Sequence, residues 1–352
     1  MKILFIPADK FGCGFYRMMM PANELINQQL AEVNVSYRLD SNEMQWADLI
    51  VMQRPSSWMA MEYIRAARSY GKKIIFELDD YLPGVVPSNP GVKWWDLSLG
   101  NAGIAFEIMK TCDGVTTTTQ RLANELGLWN RNVFILPNYI DESCWKGMVL
   151  SKEFEKRKKD DIIRIGWEGA SGHLQDLELI RNVVKKITDD YPKVHFSIFG
   201  YAPKDILYVF DNIQSSCKHC GKENQLEVHP TVPVLEYPKK LTELAFDIGI
   251  APAVDISFNA CKSDLRFKEH SMLGIPTIAS DIDAYKYSIK EGKTGFLVKT
   301  AKEWDDSLRL LIEDKKRRLE MGNEAKNWVK DLTIQKNIWR WTDVYKKVLS
   351  QR

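Results

Sequence analysis

Short apolar runs alternate with helix-like segments along the chain, and the alternation begins again near its middle. Six runs in the first half predict strands at 3–7, 33–39, 49–52, 73–78, 114–118 and 133–136. Six more in the second half predict strands at 162–167, 194–199, 226–229, 248–251, 277–280 and 295–298. Strands that alternate with helices build parallel sheets that helices cover on both faces. The pattern therefore predicts two consecutive α/β domains.

The boundary between the two domains is predicted at the sequence Pro137-Asn-Tyr-Ile-Asp141, which follows the last strand of the first half. Nine of the eleven residues in 151–161 are charged, which is typical of a solvated linker or loop. We expect an N-terminal domain at 1–140 and a C-terminal domain at 141–332, with a last helix at about 333–352 packed back on the N-terminal domain. Open α/β folds bind ligands at the carboxyl ends of their strands, so a cleft between the domains is the expected site.

Composition narrows the class of protein. The 352 residues are 45% hydrophobic and 27% charged, which excludes a disordered chain and a disulfide scaffold. The balance of 49 basic and 47 acidic residues does not support a dedicated nucleic-acid binder. No apolar run approaches the ~20 residues of a membrane span, and the first apolar run is too short for a signal peptide. With six scattered cysteines, these features predict a cytoplasmic protein that has reduced thiols and no transmembrane segment.

The segment 259–280 carries start and stop signals for a helix. Ser263 is a suitable N-cap, Gly274 is a suitable residue just past the end, and Pro276 follows. These signals predict a helix over 264–273.

Two charged residues predict that this helix binds a nucleotide diphosphate. Lys262 stands beside the unpaired N–H groups and the positive dipole end of the helix, a combination that suits a diphosphate. Glu269 lies six residues beyond Ser263, about 9 Å along the axis, where its carboxylate would accept hydrogen bonds from ribose hydroxyls. The alternative is an amphipathic helix with solvated charges, packed through Leu265, Met272 and Leu273.

A glycine-containing loop follows the first strand of the second domain, with the sequence Gly169-Ala-Ser-Gly172-His173. Gly169 and Gly172 would allow a phosphate to approach the backbone closely, and His173 would then contact phosphate or sugar. The alternative is a simple loop in which Ser171 caps the next helix.

These segments together resemble the nucleotide-sugar signature of GT-B glycosyltransferases of the group 1, family 4-like type. The matching features are a lysine before the helix, a glutamate on it, and three short sequences: Gly274-Ile-Pro-Thr-Ile-Ala-Ser280, Thr294-Gly-Phe-Leu-Val298 and Pro137-Asn-Tyr-Ile-Asp141. The resemblance covers the second half of the chain and the linker. It implies two Rossmann-like domains that face each other across a cleft, a nucleotide-diphosphate sugar in the C-terminal domain, an acceptor in the N-terminal domain, and no required metal or other cofactor.

The resemblance also implies roles for the residues at the cleft. Lys262 and the helix start at Ser263 would stabilise the negative charge on the leaving diphosphate, with Arg17 or Arg266 assisting. Glu269 would position the ribose. Backbone groups at two strand ends, Gly200-Tyr201 and Val228-His229, would hold the base.

Asp79 and Asp80 end the fourth strand, at the edge of the predicted cleft. A carboxylate at this position would orient the acceptor hydroxyl, take its proton or stabilise an oxocarbenium-like centre. Either aspartate fits such a role. The alternative is a polar strand end in which Asp80 caps the next turn.

The first strand leads into Gly12-Cys-Gly14, which opens a helix. A dinucleotide site requires a third glycine at the position that Arg17 occupies, but Asp40 would suit the ribose of NAD, so an NAD(P)-dependent oxidoreductase stays open as an alternative. The resemblance instead places Gly12, Gly14 and Arg17 near the donor phosphates or the acceptor.

The chain departs from the family pattern in two places. Cys261 stands where the family often has a second glutamate, eight residues before Glu269, and no Arg/Lys pair follows the first strand of the second domain. A non-catalytic sugar-nucleotide-binding protein is a further alternative, which detectable sugar transfer or donor hydrolysis would exclude.

Two further motifs bear on ligand binding. Cys217-Lys-His-Cys220 has the spacing of half a zinc site, but a structural zinc needs four ligands. Trp94-Trp95 would stack on a sugar or base, or fill a hydrophobic gap under a loop.

The resemblance thus implies a glycosyltransferase that moves a sugar from a nucleotide-diphosphate sugar to an acceptor hydroxyl, with a UDP-sugar as the expected donor. The expected acceptor is a polysaccharide or other glycan. Modified phage DNA is the less favoured acceptor because the net charge of the chain is only +2.

Overall fold

The computed structural model of the chain describes residues 1–87, 89, 92, 101–200, 207, 209–210 and 225–351. Three sequence motifs lie outside these residues: Tyr201, the pair Trp94-Trp95, and the half zinc site between Cys217 and Cys220.

Continuous apolar runs form a parallel sheet in the first part of the chain. Its strands are β1 (Lys2–Ile6), β2 (Glu32–Val35), β3 (Leu49–Gln53), β4 (Lys73–Glu77), β5 (Gly114–Thr117) and β6 (Val133–Ile135). They lie in the order β2-β1-β3-β4-β5-β6, and each neighbouring pair is parallel. Buried strands of this kind read as unbroken apolar sequence, which is why the sequence revealed them.

A second parallel sheet repeats the design. Its strands are β7 (Ile163–Gly169), β8 (Val194–Gly200), β9 (Leu226–His229), β10 (Ile248–Ala251), β11 (Thr277–Ser280) and β12 (Gly295–Val298). They lie in the order β12-β11-β10-β7-β8-β9, again with parallel neighbours. The predicted α/β class with two Rossmann-like domains is therefore confirmed.

Helices connect the strands. Those of the first domain are Gly12–Gly14, Met20–Asn27, Ser41–Trp46, Trp58–Ser69, Asn101–Thr111 and Gln120–Leu126, with a π-helical turn at Phe15–Met19 and a 3₁₀ turn at Leu82–Gly84. Those after the first sheet are Glu142–Trp145, Lys152–Lys159, Leu174–Asp190, Tyr237–Leu244, Ser257–Ala260, Leu265–Leu273, Asp283–Lys286, Ala301–Glu313, Lys315–Val329, Ile334–Asn337 and Trp339–Leu349, with a 3₁₀ turn at Ser171–His173.

The last two helices of the chain pack on the first domain. Trp341, Tyr345 and Val348 are buried in one cluster with Ile3 and Phe5 of strand β1. The chain therefore crosses between the domains twice, once near Asn138 and once before these helices.

The charged stretch 151–161 differs from its prediction. It forms the helix Lys152–Lys159, which begins where the Ser151 hydroxyl accepts a hydrogen bond from the Phe154 N–H. Lysine, glutamate and arginine are strong helix formers, and Arg157 is fixed by an ion pair with Glu227 of strand β9. The prediction of a linker or loop was wrong because charge content alone does not exclude a helix.

Within the described part of the chain, no helix is both long and apolar enough to cross a bilayer.

Candidate functional site

Lys262 lies between the two domains, just before the helix Leu265–Leu273. The helix ends at Gly274, whose φ of +70° is the left-handed conformation expected there. The Lys262 side chain is half-buried, with its ammonium 4.5 Å from the centre of the Phe258 ring. Its positive charge opposes the rise that burial and Asp79 cause in the pKa of Asp80, from the first domain, and adds to the fall that burial causes in the pKa of His173, from the second. The lysine is therefore close enough to both walls of the cleft to act on their ionisable groups, which fits the diphosphate hypothesis.

The helix start differs from the prediction in one respect. Asp264, not Ser263, is the N-cap residue, and no side chain caps the first turn. The Ser263 hydroxyl instead accepts a hydrogen bond of 2.9 Å from Nδ2 of Asn138 in the linker. The N-cap prediction for Ser263 was therefore wrong, because this hydroxyl ties the linker to the second domain.

Asn138 holds both domains at once. Its Oδ1 accepts from Arg17 in the first domain (2.9 Å), and its carbonyl oxygen accepts from Lys268 in the second (2.7 Å). Lys268 is buried and also bonds to Asp264 (2.6 Å). The linker is therefore fixed by hydrogen bonds on both sides.

Asp79 and Asp80 stand at the carboxyl end of strand β4 and face Cys13. Ligand atoms of these three residues lie within 4.8 Å of one another. Burial and the charge of Asp79 raise the pKa of Asp80, while Lys262 and Arg54 act in the opposite direction. An oxygen of Asp79 is buried without a hydrogen-bond partner. The acidic pair is thus partly desolvated, and Asp80 lies within electrostatic reach of Lys262 in the other domain.

The same three residues are the ones whose spacing would suit a metal ion. Among the described residues, no other group of three histidine, cysteine or acidic side chains has this spacing. The charge of Asp79, together with burial and Asp80, raises the pKa of the Cys13 thiol well above its usual range.

The glycine loop after strand β1 is closed by its own chain. The carboxylate of Asp9 accepts hydrogen bonds from the N–H groups of Phe11 (2.8 Å) and Gly14 (3.0 Å). A Cβ atom on Gly14 would lie 2.0 Å from the Asp9 carbonyl oxygen, so glycine is required there by close packing. Gly12 has open space beside it. Because an internal carboxylate occupies these N–H groups, the loop does not offer them to a phosphate.

Arg17 is a buried structural residue. Its guanidinium is bonded to Glu77 through two contacts of 2.6 and 3.1 Å, and to the Leu136 carbonyl and Asn138. Its side chain is 0% exposed. This burial does not support the predicted contact of Arg17 with phosphate.

Asp40 has a local role too. Its carboxylate caps the helix Ser41–Trp46 by accepting from the N–H groups of Asn42 (2.8 Å) and Glu43 (3.1 Å). With Asp40 occupied and Arg17 buried, the geometry removes the basis for an NAD(P) site in the first domain.

Glu269 is hydrogen-bonded to a tyrosine from each domain. The Tyr16 hydroxyl donates to Oε1 (2.6 Å) and the Tyr237 hydroxyl donates to Oε2 (3.0 Å). Burial raises the pKa of Glu269 to about 7, against the hydrogen bond from Tyr16. Tyr16 belongs to the π-helical turn Phe15–Met19, a feature often found at functional sites. The carboxylate predicted to bind ribose therefore lies buried at the contact between the domains.

Arg266 pairs with a buried carboxylate beneath the cleft. Its Nε lies 3.2 Å from Oε1 of Glu168, whose other oxygen is 2.9 Å from Nε2 of His270. Gly169 and Gly200 lie side by side in strands β7 and β8, and a Cβ on Gly200 would meet the Gly169 carbonyl oxygen at 2.1 Å. These glycines allow the strand ends to approach each other, while the guanidinium of Arg266 lies beside Gly169.

His173 lies at the mouth of the second domain with its ring against Trp167, at 5.8 Å between ring centres. Its Nδ1 is 2.7 Å from the carboxylate of Asp176. Burial, with the charges of Lys262 and Arg266, lowers the pKa of His173 to about 4. The imidazole is therefore neutral at physiological pH.

At the remaining predicted strand end, Val228 is partly exposed, whereas the His229 side chain lies 3.4 Å from Glu227. The backbone contact proposed there for a base stays a prediction.

A cavity of about 630 Å³ opens between the domains, lined in part by the loop that leads to Lys262. Gly84 and Arg121 line it on one side, and Asp255, Ser257, Asp283 and Lys286 line it on the other. Charges of both signs line this space.

Several residues of the site were missed by sequence reasoning. Tyr16, Asp176 and Tyr237 are hydrogen-bonded to residues that were predicted, and no local pattern marks Tyr16 or Tyr237 as such a partner. A signal existed for Asp176 alone, since it follows His173 by three residues at the start of a helix.

Comparison with known proteins agrees with this geometry. Residues 267–328 match the family model of group 1 glycosyl transferases. The trehalose synthases of Thermococcus litoralis and Pyrococcus horikoshii are 23% and 22% identical to the chain over 227 and 244 residues. These alignments cover 60% and 61% of the chain and 52% and 57% of the relatives, so the chain spans about half the length of the curated relatives it matches.

Solved structures share the whole fold. Anabaena HepE in complex with UDP-glucose superposes with a TM-score of 0.70 at 14% identity, over 100% of both chains. Sucrose-phosphate synthase from Thermosynechococcus elongatus gives a TM-score of 0.69 at 12% identity, over 99% of both chains. The two-sheet architecture is therefore the GT-B fold, and the resemblance predicted from the sequence is confirmed.

Proposed function

We propose that this protein is a hexosyltransferase that moves a sugar from a UDP-sugar to a hydroxyl group of an acceptor. One observation carries the proposal: Lys262, at the start of the helix that continues into the matched segment, acts electrostatically on Asp80 of the other domain. A cation beside a helix N-terminus suits a leaving diphosphate, and a partly desolvated carboxylate suits the attacking hydroxyl. HepE, which has the same fold, is solved with UDP-glucose, and this supports the choice of donor.

The donor half of the site is proposed to work by electrostatics. As the bond between the anomeric carbon and the diphosphate oxygen breaks, negative charge develops on the diphosphate. Lys262 and the first N–H groups of the helix Leu265–Leu273 stabilise that charge. Arg266 adds a second cation nearby, although its pair with Glu168 reduces its effect. Glu269 accepts hydrogen bonds from the ribose, for which it must share or exchange the Tyr16 hydroxyl.

The acceptor half is proposed to use the acidic pair. The new bond forms between the acceptor oxygen and the anomeric carbon, and the hydroxyl proton passes to a carboxylate of Asp79 or Asp80 or to the departing phosphate. A raised pKa makes Asp80 a better proton acceptor than an ordinary aspartate. Closure of the cleft excludes water, which otherwise competes with the acceptor.

The acceptor is proposed to be a glycan. The inter-domain cavity carries both cations and carboxylates, and such a lining suits a neutral molecule with many hydroxyls better than a polyanion. A modified DNA would bring its phosphates close to Asp79 and Asp80 at the reaction centre, and the negative charges would repel each other.

Transfer is proposed to need no metal, because Lys262 supplies the charge that a divalent cation would supply. Transfer in EDTA should match transfer in added Mg²⁺ or Mn²⁺. Loss in EDTA that a divalent ion restores would assign a metal role to Cys13, Asp79 and Asp80. The described free thiols at Cys13, Cys112, Cys144 and Cys261 favour a reducing compartment such as the cytoplasm.

A panel of UDP-, GDP- and ADP-sugars, with NAD(H) as a comparison, tests the donor class by thermal shift. We expect UDP-sugars to stabilise the protein and NAD(H) to leave it unchanged. The rate of UDP release from the best donor would then be measured with and without a glycan acceptor. Slow release that becomes faster with the acceptor would show transfer. Cys261, in place of a family glutamate, favours the second candidate, a binding protein without transfer, and stabilisation with no UDP release under any acceptor would support it.

A further inference from the structure

Asp176 joins two loops of the second domain at the cleft. Its Oδ2 is 2.7 Å from Nδ1 of His173, in the loop after strand β7. Its Oδ1 accepts from the Val254 N–H (2.8 Å) and from Nδ2 of Asn259 (2.9 Å), both in the segment that leads to Lys262. The Asp176 side chain is buried, so these contacts fix the histidine relative to the lysine.

The contacts determine which nitrogen of His173 carries the proton. Asp176 accepts two N–H donors on one oxygen, and the hydrogen bonds from His173 and Val254 lower its pKa against the opposing effect of burial. An ionised carboxylate can only accept, so Nδ1 of His173 must be the donor. The ring is neutral because its pKa lies at about 4, and its Nε2 is therefore a hydrogen-bond acceptor.

An acceptor nitrogen discriminates between the parts of a nucleotide sugar. A diphosphate oxygen at neutral pH has no hydrogen to offer, whereas every sugar hydroxyl has one. Nε2 makes no hydrogen bond to the residues that the structure describes, and the His173 side chain is 16% exposed. The charge of Lys262 also acts on the ring, so the imidazole shares one part of the cleft with the cation assigned to the diphosphate that carries the sugar.

We infer that Nε2 of His173, held by Asp176, accepts a hydrogen bond from a hydroxyl group of the transferred sugar and so contributes to donor-sugar specificity. The inference rests on the proposed function. It resolves the choice between phosphate and sugar for His173 in favour of the sugar. Asp176 is then a positioning residue that sets the tautomer of the ring.

The test compares UDP with UDP-glucose and its 2-, 3-, 4- and 6-deoxy forms, or with the UDP-hexose that stabilises the wild-type protein most. His173→Ala should weaken binding of the UDP-sugar about tenfold, the effect of one hydrogen bond, and change UDP binding less than twofold. One deoxy analogue should bind the wild-type protein about tenfold more weakly than the full UDP-sugar does. His173→Ala should bind that analogue and the full UDP-sugar equally well, because the hydrogen bond is already absent.

Asp176→Asn gives a second, conservative variant. Its amide oxygen should take the place of Oδ1, because an NH2 group there would meet the Val254 and Asn259 donors. The NH2 group then faces Nδ1 of His173 and moves the ring proton to Nε2, so Asp176→Asn should show the same loss on the UDP-sugar with UDP binding kept. Lys262→Ala is the matched comparison, because it should weaken both ligands equally.

Three results would overturn the inference. Equal losses for UDP and the UDP-sugar in His173→Ala would place the ring on the diphosphate. Unchanged affinities in His173→Ala would make the His173–Asp176 pair purely structural. A wild-type protein that binds neither UDP nor any UDP-sugar would refute the proposed function itself, and the inference with it.

Discussion

The hydroxyl oxygen of Tyr16 lies 2.6 Å from Oε1 of Glu269, so a residue near the start of the chain bonds to one 253 positions later. The hydrogen bond connects the π-helical turn of the first domain to the donor helix of the second. Under the proposed function, the same carboxylate receives the ribose. Nucleotide binding and the contact between the domains therefore involve one buried group.

Glu269→Gln should weaken UDP and the UDP-sugar by similar factors, because the defect lies on the ribose and not on the sugar. The amide keeps one acceptor oxygen and loses the charge, and a charge-assisted hydrogen bond contributes about 1.5–3 kcal/mol. Calorimetric titration of both ligands measures the effect. Wild-type affinity for UDP in this variant would place the donor elsewhere.

The affinity for a UDP-sugar should rise as the pH increases through about 7. Burial raises the pKa of Glu269 to about 7, so the free protein holds this carboxyl protonated below that pH and ionised above it. Ribose hydroxyls bind the ionised form better, and the diphosphate diester of a UDP-sugar does not titrate in this range. Titrations between pH 6 and pH 8 should show the rise in the wild-type protein and a flat profile in Glu269→Gln.

Lys262→Ala should weaken donor binding and slow transfer together. Loss of a single preorganised electrostatic group costs about 2–4 kcal/mol of transition-state stabilisation. Folding should be unaffected, since no described ion pair holds this half-buried side chain. Steady-state kinetics and a melting curve separate the two effects, and unchanged UDP affinity and rate would make Lys262 a surface charge.

Asp79→Asn and Asp80→Asn should retain UDP binding, and at least one of them should lose transfer. Both side chains belong to the first domain, on the side of the cleft opposite the donor helix. Removal of a positioned general base lowers a rate by about 10²–10⁴-fold. UDP release at a fixed acceptor concentration gives the rate, and loss of UDP affinity in either variant would contradict the assignment of the donor to the second domain.

Arg17→Met should destabilise the protein without a direct effect on the donor site. The substitution leaves Glu77 buried without its partner, which typically costs about 3–5 kcal/mol. Chemical denaturation measures the loss. The double variant Arg17→Met/Glu77→Gln should recover part of it, because it removes the buried charge as well. A variant as stable as the wild type that binds UDP poorly would restore the phosphate role.

The strands were predictable because each is a buried run of apolar residues, and burial on both faces of a parallel sheet leaves its mark within a few neighbouring positions. Helix geometry predicted the spacing of Lys262, just before the donor helix, and Glu269 on it, and their roles in donor binding stay predictions. Pairs of residues that are distant in the sequence were not predictable. Arg17 has the sequence context of a cleft residue, and only the fold brings Glu77 close enough to form an ion pair with it in the interior.

Residue type alone also gave a wrong prediction where two neighbouring residues both suit the N-cap position. Ser263 and Asp264 are both good N-cap types, and the choice between them depends on Asn138, which lies 125 positions earlier and takes the serine hydroxyl. The helix Lys152–Lys159 was missed because its charges were taken as a sign of solvation alone, although each of those residue types favours a helix.

Asn138 sets the mechanics of the cleft. Its side chain and its carbonyl group are bonded to Arg17, Ser263 and Lys268, so the linker cannot bend there without breaking specific hydrogen bonds. A linker held in this way has few intermediate positions, because each hydrogen bond is lost when its atoms separate by less than an ångström. The two domains should therefore have two distinct arrangements, with these hydrogen bonds either formed or broken. The backbone torsions that change between the two arrangements must lie in residues next to Asn138.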